Sequence, residues 1–420
     1  MPYGVRSKNM KIGYACVPLT IDARTSRRLI IKNFNYDNFF VITKANLTDL
    51  RLILEHNIKN NIFMFRISSD IIPLGSHEIN DIQWQEIFKY ELEDTGKFIR
   101  ENNIRVSMHP GQYTVLNSNS EEVVAKSIKD IEYHTLFLDS LKVDFTNKIV
   151  LHIGGVYGDK ESAIERFILN FKRLSPQAQK RLIIENDDKS YTVKDVLSIS
   201  KVLDIPVVFD NLHHLLNSET SENLESILKE VALTWKELDG PMKLHYSDSS
   251  GSKRAGAHSK FVFTKNFIPY LNEVKDFDPD IMLEVKDKDI SAIKCIQFTS
   301  KVQKIHTLYD MWAKYKYLVM EKDYKLYKQC SNMVKSKCTL TVFYEFIDEV
   351  LSLPLNEKNF INTAYHIWGY FKNVATPSER KKFDFYINNK ELNEKFKQFL
   401  KKLACKYNVE YLLNSYYFLY

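Results

Sequence analysis

The chain has 420 residues, of which 44% are apolar and 27% are charged. This balance supplies a buried core and excludes an intrinsically disordered chain. The longest apolar runs are strand-sized, so we expect no membrane-spanning segment. The first ten residues are polar and basic and lack the apolar stretch of a signal peptide. We therefore predict a flexible N-terminus over residues 1–10 and a cytoplasmic protein.

The five cysteines are scattered along the chain and form no Cys-x-x-Cys pair: Cys16, Cys295, Cys330, Cys338 and Cys405. Structural zinc sites made of thiolates use closely spaced cysteine pairs, and extracellular disulfide scaffolds use an even cysteine count. The pattern therefore predicts a reducing compartment, without a structural disulfide or a thiolate zinc site.

Short β-branched runs alternate with longer amphipathic stretches between residues 11 and 300. Eight runs have the length and composition of strands: residues 11–16, 62–68, 105–109, 148–152, 181–185, 206–210, 242–246 and 281–285. Strand and helix patterns that alternate eight times predict an α/β domain of the (β/α)₈ TIM-barrel type over residues 11–300. A doubly wound open sheet is the competing architecture.

Side chains that bind metals or move protons end six successive predicted strands, the third to the eighth: His109, His152, Glu185, Asp210, His245 and Glu284. In a closed barrel, the carboxyl ends of all strands meet at one face, where barrel enzymes carry their active sites. In an open sheet, the same residues would be spread along an edge. Their distribution therefore favours the barrel.

Two further histidines, His213 and His258, lie in the loops after the sixth and seventh strands. With the strand ends they give five imidazoles and three carboxylates, enough for two or three metal ions that share a bridging carboxylate. The absence of thiolates favours Mn²⁺ or Zn²⁺, and the many nitrogen ligands argue against Mg²⁺ and Ca²⁺. Taken singly, residues 210–214 also fit a helix-capping turn and residues 185–188 a solvated acidic loop.

A site with several metal ions suits phosphodiester hydrolysis, because the ions generate hydroxide near neutral pH and neutralise the leaving oxygen. The same fold and metals also serve sugar isomerisation, which needs fewer imidazoles. These residues alone leave both reactions open.

From about residue 301 the strand pattern gives way to helical segments rich in Tyr, Lys and Phe: residues 307–327, 340–353, 359–373, 378–388 and 391–406. We predict an appended all-α C-terminal domain over residues 301–420. It holds 20 Lys and Arg against 12 Asp and Glu, a net charge of +8, whereas residues 1–300 have a net charge of −2. The basic surplus is consistent with a solvated surface, with DNA binding or with a protein partner.

Several segments together resemble the UV damage endonucleases, barrel enzymes related to endonuclease IV: residues 13–16, 65–69, 76–77, 108–113, 151–160, 184–188, 209–214, 243–245, 256–258 and 283–286. The resemblance implies incision of double-stranded DNA immediately 5′ of cyclobutane dimers and 6-4 photoproducts, which leaves a 3′-hydroxyl and a 5′-phosphate. The alternatives are an apurinic-site endonuclease of the endonuclease IV type, a metal-dependent sugar isomerase or epimerase, and a non-enzymatic damage-binding module.

The resemblance implies that the eight side chains bind three divalent ions, Mn²⁺ with Zn²⁺ as the alternative. The ligands of the first ion are His109, His152 and Glu185. Glu185 bridges to the second ion, which Asp210, His245 and Glu284 also bind, and the third ion is bound by His213 and His258. Lys243 resembles a lysine that the family carries in carboxylated form beside the metals. His77 resembles a histidine near the scissile phosphate. The predicted catalytic residues are therefore Lys243, His77 and Glu185.

Three residues resemble the family's DNA contacts. Gln112 and Tyr113 resemble residues that wedge into the duplex, where a planar amide and an aromatic ring fill the space left by displaced bases. Tyr14, at the end of the first strand, resembles their companion. Farther along the chain, residues 312–317 and 366–372 are similar to a small helical domain of unknown function attached to other bacterial proteins, which implies no activity.

Overall fold

The computed structural model describes residues 10–218, 223–250 and 256–420, and in it eight parallel strands close into a barrel in sequence order. The strands are β1 (Ile12–Ala15), β2 (Met64–Arg66), β3 (Arg105–Met108), β4 (Lys148–His152), β5 (Leu182–Glu185), β6 (Val207–Asp210), β7 (Lys243–Tyr246) and β8 (Asp280–Leu283). The barrel closes where β8 pairs with β1. The predicted TIM barrel is confirmed, and no strand end differs from its predicted position by more than two residues.

Helices fill the connections between the strands: α1 (Tyr36–Lys59), α2 (Trp84–Ile87), α3 (Lys89–Glu101), α4 (Glu121–Ser140), α5 (Lys160–Phe171), α6 (Pro176–Arg181), α7 (Val193–Leu203), α8 (Asn211–Leu216), α9 (Leu224–Leu233), α10 (Thr264–Val274) and α11 (Asp289–Thr299). Several begin at a side chain that caps the first turn. The side-chain oxygens of Ser120, Asp159 and Thr192 accept hydrogen bonds from backbone N–H groups three residues later. Such caps satisfy N–H groups that have no partner within the helix.

Alternate strand residues face the barrel interior and the surrounding helices, because side chains in a strand alternate with a period of two. Val150, Ile183 and Val208 form a buried apolar cluster across three neighbouring strands. Each lies two residues before its strand's last residue, so the interior row that they share continues to the carboxyl end. This alternation decides which strand-end residues can meet.

The amino-terminal part of the interior holds paired charges. Arg105 forms a buried ion pair with Asp280 at 2.9 Å, and its guanidinium also donates to backbone oxygens. The Lys148 ammonium donates to the Lys180 carbonyl oxygen at 2.7 Å and pairs with Asp239. Because buried charges are tolerated when they are paired and hydrogen-bonded, these residues can fill this end of the barrel interior.

A second compact unit comprises Phe263–Lys265 and Gln297–Tyr420. It is helical, as predicted, with α12 (Ile305–Lys322), α13 (Tyr324–Lys335), α14 (Leu340–Leu351), α15 (Glu357–Trp368), α16 (Pro377–Ile387), α17 (Asn393–Lys406) and α18 (Glu410–Leu413). Asp348 ties its two segments together, because its Oδ2 accepts from both the backbone N–H and the hydroxyl of Thr264.

The core of this unit is aromatic. The ring of Tyr315 packs edge-on against Tyr416, with the ring centroids 4.9 Å apart, and both residues are buried. The predicted domain bounds of 11–300 and 301–420 stay predictions, and residues 1–9 of the predicted flexible N-terminus lie outside the described residues. None of the described helices is long and apolar enough to cross a lipid bilayer.

Candidate metal centre

The strand register places the predicted metal ligands side by side at the carboxyl end of the barrel. His152 on β4 pairs with Glu185 on β5, and Asp210 on β6 pairs with His245 on β7. Partners in adjacent strands lie about 4.8 Å apart in the hydrogen-bonding direction, so their side chains on the same face meet. Closure of the barrel brings in the residues that follow β3 and β8.

Glu185 lies at the centre of the cluster and is 1% exposed. Its Oε1 is 2.7 Å from Nδ1 of His245, and its Oε2 is 3.3 Å from Nε2 of His109 and 3.7 Å from Nε2 of His152. Potential ligand atoms lie within 4.8 Å of one another in two groups, His109 with His152 and Glu185, and Glu185 with Asp210 and His245. Glu185 belongs to both groups, as a carboxylate that bridges two ions must.

The other predicted ligands join the cluster through Glu284 and His213. Oε1 of Glu284 is 3.2 Å from Nδ1 of His245, and its Oε2 is 3.7 Å from Nε2 of His258. Nδ1 of His213 is 3.7 Å from Oδ1 of Asp210 and 3.8 Å from the central carboxylate. The structure therefore brings all eight predicted ligands together.

Burial and neighbouring charges shift the ionisation of these groups. Burial lowers the pKa of His152 to about 4. Burial also raises the pKa of Asp210 to about 8, and the neighbouring carboxylates of Glu185 and Glu284 add to this effect. Burial disfavours a charged His213, but Asp210 and Glu185 outweigh it and raise its pKa to about 9. Buried carboxylates therefore repel one another here, and a cation among them would relieve the repulsion.

The donor set fits divalent ions. Oδ1 of Asp210 caps α8 by accepting from the His213 N–H at 2.7 Å, whereas its Oδ2 is buried without a hydrogen-bond partner in the part of the chain that the structure describes. A buried polar atom without a partner costs about 1–3 kcal/mol. Since oxygen and imidazole ligands suit Mn²⁺ and Zn²⁺, coordination would satisfy such an atom.

Two residues that support the ligands were missed in the sequence. Arg66 at the end of β2 is buried, its Nη2 lies 3.0 Å from Nε2 of His245, and it also pairs with Glu284. Asn186 donates to the Asp210 carbonyl oxygen at 3.1 Å and accepts from the Asp210 N–H at 2.9 Å. A charged residue at a strand's carboxyl end was the available signal for Arg66, and both residues lie in segments that resemble the family, residues 65–69 and 184–188.

Lys243 lies in the barrel interior two residues before His245 on β7 and is fully buried. Among the described residues, its Nζ has no hydrogen-bond partner. Burial lowers the pKa of this ammonium well below its usual value, and the positive charges of Arg105 and Arg66 lower it further. Burial and these two charges therefore favour the neutral amine of Lys243 over its ammonium form.

His77 and the wedge residues lie on loops. The half-buried His77 accepts a hydrogen bond at Nδ1 from the Ile79 N–H at 3.1 Å, and the described residues show no contact between it and the eight-residue cluster. Gln112 and Tyr113 are exposed on the loop after β3, with Tyr113 80% exposed. A cavity of about 310 Å³ has Gln112 and His152 in its lining, so the loop borders the cluster.

The structure corrects the prediction for Tyr14. Its side chain points away from the barrel interior and is fully buried, and its hydroxyl donates to Oδ1 of Asn57 on α1 at 2.8 Å. Its ring packs edge-on against Phe65. Because the ring is enclosed between strands and helices, Tyr14 cannot stack on a DNA base in this conformation.

The fold and the site define a barrel protein with a candidate polynuclear metal centre at the carboxyl ends of its strands. The family model described as UV-endonuclease UvdE matches residues 8–316, and the chain belongs to this family. A second family model, described as a protein of unknown function (DUF1722), matches residues 316–420. Both resemblances predicted from the sequence are confirmed.

Similar proteins agree with this membership. The chain is 51% identical over 401 residues to a UV DNA damage endonuclease of Clostridium perfringens (strain 13 / Type A), covering 94% of this chain and 96% of the relative. It is 34% identical over 307 residues to a UV DNA damage endonuclease of Bacillus cereus (strain 03BB102), covering 73% and 96%. The crystal structure of SacUVDE superposes with a TM-score of 0.65 at 41% identity, covering 68% of this chain and 96% of that chain.

Replacement of Glu185 by Gln tests whether this side chain bridges two ions. The amide keeps the shape of the side chain but lacks the negative charge that two cations would share, so we expect the variant to retain at least one Mn²⁺ fewer per chain than the parent protein. Metal content is measured by plasma mass spectrometry after gel filtration. Glu122→Gln, at an exposed position on α4, is the matched control. Equal metal content in all three proteins would contradict a bridging role.

Proposed function

We propose that the chain is a DNA-repair endonuclease that incises double-stranded DNA immediately 5′ of cyclobutane dimers and 6-4 photoproducts, leaving a 3′-hydroxyl and a 5′-phosphate. Family membership supports a UV-damage repair endonuclease. The observation that carries the proposal is the convergence of metal-binding side chains on the buried carboxylate of Glu185. Metal ions held by these side chains would supply the positive charge that hydrolysis of a phosphodiester needs beside the scissile phosphate.

We assign three divalent ions to this centre, Mn²⁺ with Zn²⁺ as the alternative, held by the eight side chains of the cluster: His109, His152, Glu185, Asp210, His213, His245, His258 and Glu284. When bound, such ions lower the pKa of the attacking water and neutralise charge on the leaving 3′-oxygen. The protein's part is to fix the ligands. Arg66 holds His245 and Glu284, and Asn186 holds Asp210, in the way that outer hydrogen bonds orient metal ligands.

Lys243 is proposed to act in carboxylated form. The lone pair of a neutral amine attacks the carbon of carbon dioxide. The N–C bond forms as one C=O π bond breaks and its electron pair moves to oxygen. One N–H proton is released to water, so the product is a carbamate with one negative charge. The burial that lowers the pKa of Lys243 favours the neutral amine that this reaction needs. The carbamate would add an anionic oxygen ligand in the interior row beneath His245.

His77 is proposed to lie near the scissile phosphate. Because its Nδ1 accepts from the Ile79 N–H, a neutral ring carries its proton on Nε2. That atom can then donate to a phosphate oxygen and help to place the backbone for incision. Gln112 and Tyr113 are proposed to enter the duplex from the exposed loop after β3. The cavity that both Gln112 and His152 line supports this role.

The proposed substrate is tested with three duplexes of one sequence, which carry a thymine dimer, an abasic site or no damage. We expect the protein to incise the dimer duplex on the 5′ side of the lesion and to leave the undamaged duplex intact. Gel mapping with end-labelled strands reports the position of the cut, and a polymerase and a ligase report the 3′-hydroxyl and 5′-phosphate. Incision of the abasic duplex alone would establish an apurinic-site endonuclease and overturn the proposal.

Replacement of Gln112 and Tyr113 together by Ala should reduce discrimination of the lesion more than the chemistry. Base–aromatic stacking contributes roughly 1–3 kcal/mol per base, so we expect kcat/KM on the dimer duplex to fall by about tenfold or more. An abasic site is already distorted and should lose less. Tyr90→Ala, at an exposed tyrosine on α3, is the control. Equal losses on both substrates would indicate that the loop has a structural role.

A further inference from the structure

The C-terminal unit carries a partly exposed cluster, here called the aromatic face, that consists of Trp312, Lys316, Tyr324, Tyr327, Tyr370 and Tyr411. These residues come from α12, α13, the turn after α15, and α18. Tyr370 and Tyr411 are 42% and 40% exposed, and the other four are half-buried. The core rings Tyr315 and Tyr416, by contrast, are buried. The aromatic face therefore presents ring surface to solvent.

The rings of the aromatic face are held nearly parallel in two pairs. The centroids of Tyr324 and Tyr327 are 5.6 Å apart with 11° between the ring planes, and the ring of Trp312 lies 5.4 Å from Tyr327. Tyr370 and Tyr411 are 6.2 Å apart with 14° between their planes. Because these rings are already fixed against one another, stacking a further planar group on them costs little conformational entropy.

Lys316 contacts the second pair. Its Nζ lies 4.5 Å from the ring centroid of Tyr411 and 4.8 Å from that of Tyr317, whose hydroxyl donates to the Tyr370 hydroxyl at 3.2 Å. Burial lowers the pKa of the Lys316 ammonium. In the described parts of the chain, no carboxylate forms an ion pair with it.

Two other lysines of this unit combine a ring contact with an ion pair. Lys397 lies 4.5 Å from the ring centroid of Tyr417 and forms an ion pair with Glu321 at 2.9 Å. Lys406 lies 4.9 Å from the ring centroid of Tyr407 and pairs with Glu379 at 2.7 Å. Lys316 has the ring contacts but no carboxylate partner among the described residues, so its environment is complementary to an anion that comes from outside the unit.

We propose that the aromatic face binds single-stranded DNA, with unpaired bases stacked on the tyrosine and tryptophan rings and a backbone phosphate paired with Lys316. Flat rings beside a partly desolvated cation match a ligand that alternates planar bases with phosphates. Duplex DNA fits less well, because its base faces are already stacked on one another. The net charge of +8 on residues 301–420 adds long-range attraction for a polyanion. This site is additional to the incision proposed for the barrel and does not depend on it.

The proposal is tested with the full-length protein and a fluorescein-labelled dT₁₂ strand, whose binding is followed by fluorescence anisotropy. Tyr324→Leu combined with Tyr411→Leu removes one ring from each stacked pair, and we expect the Kd to rise at least tenfold. Lys316→Gln should raise the Kd several-fold and reduce the slope of log Kd against log salt by about 0.7, the value for one phosphate contact with a single strand.

Matched controls use the same residue types elsewhere in the unit. Tyr365→Leu removes an exposed ring that packs on Phe383, and Lys381→Gln removes an exposed charge on α16. Both should leave the affinity unchanged. The Tm of each variant, with the affinity of both controls, separates loss of the binding surface from loss of folding.

The proposal is overturned if the aromatic-face variants bind dT₁₂ as tightly as the parent protein, or if the controls lose affinity to the same extent. It is also overturned if poly-glutamate binds through Lys316 while dT₁₂ does not, which would make the surface a docking site for an acidic protein. The strand carries no photoproduct, so this measurement is independent of whether the barrel incises damaged DNA.

Discussion

The buried carboxylate of Glu185 is the constraint on which the rest of the barrel depends. A carboxylate that is 1% exposed needs several compensating partners, because an isolated buried charge is strongly unfavourable. The surrounding imidazoles supply them: His245 and His152 lower the pKa of Glu185 well below its usual value despite its burial. These imidazoles come from β4 and β7, so the compensation of the carboxylate depends on the packing of several strands.

Three basic side chains lie at different depths in the barrel interior beneath this centre. At the amino-terminal end, Arg105 pairs with Asp280 and is satisfied within the protein. At the carboxyl end, Arg66 pairs with Glu284 and thereby lowers the pKa of that carboxyl against the effect of burial. Between them Lys243 has lost its hydration without gaining a partner among the described residues. The pKa of Lys243 is therefore lowered, whereas each of the two arginines has a carboxylate partner.

Much of the barrel could be predicted because strand and helix patterns alternate eight times, and metal-binding side chains recur at the ends of the predicted strands. The strand pattern gave the positions of the strand ends, and His109, His152 and Glu185 lie at or directly after those ends, on the face where barrel enzymes carry their active sites. The side of the strand was harder to predict. Tyr14 was assigned to the mouth, although it is one residue out of phase with the interior row and packs against Asn57 on α1.

The hydrogen bonds that support the predicted metal ligands could not be predicted from the sequence. Asn186 bonds to the backbone of Asp210 across 24 positions, and no local pattern signals such a pairing. The helices of the C-terminal unit followed from their period, but the exposed rings near Lys316 could not be distinguished from core residues. Both kinds of residue have the same spacing along a helix, and the fold decides which of them is covered.

Replacement of Glu185 by Ala tests the proposal that the centre around this residue performs the incision. Loss of this carboxylate should abolish incision of a thymine-dimer duplex, because Glu185 is the one ligand that both proposed ions share. Binding of the same duplex should stay within about tenfold of the parent protein, since affinity depends largely on phosphate contacts. Incision and binding are measured on one protein preparation. Turnover in the variant above a few per cent of the parent rate would show that incision does not depend on Glu185.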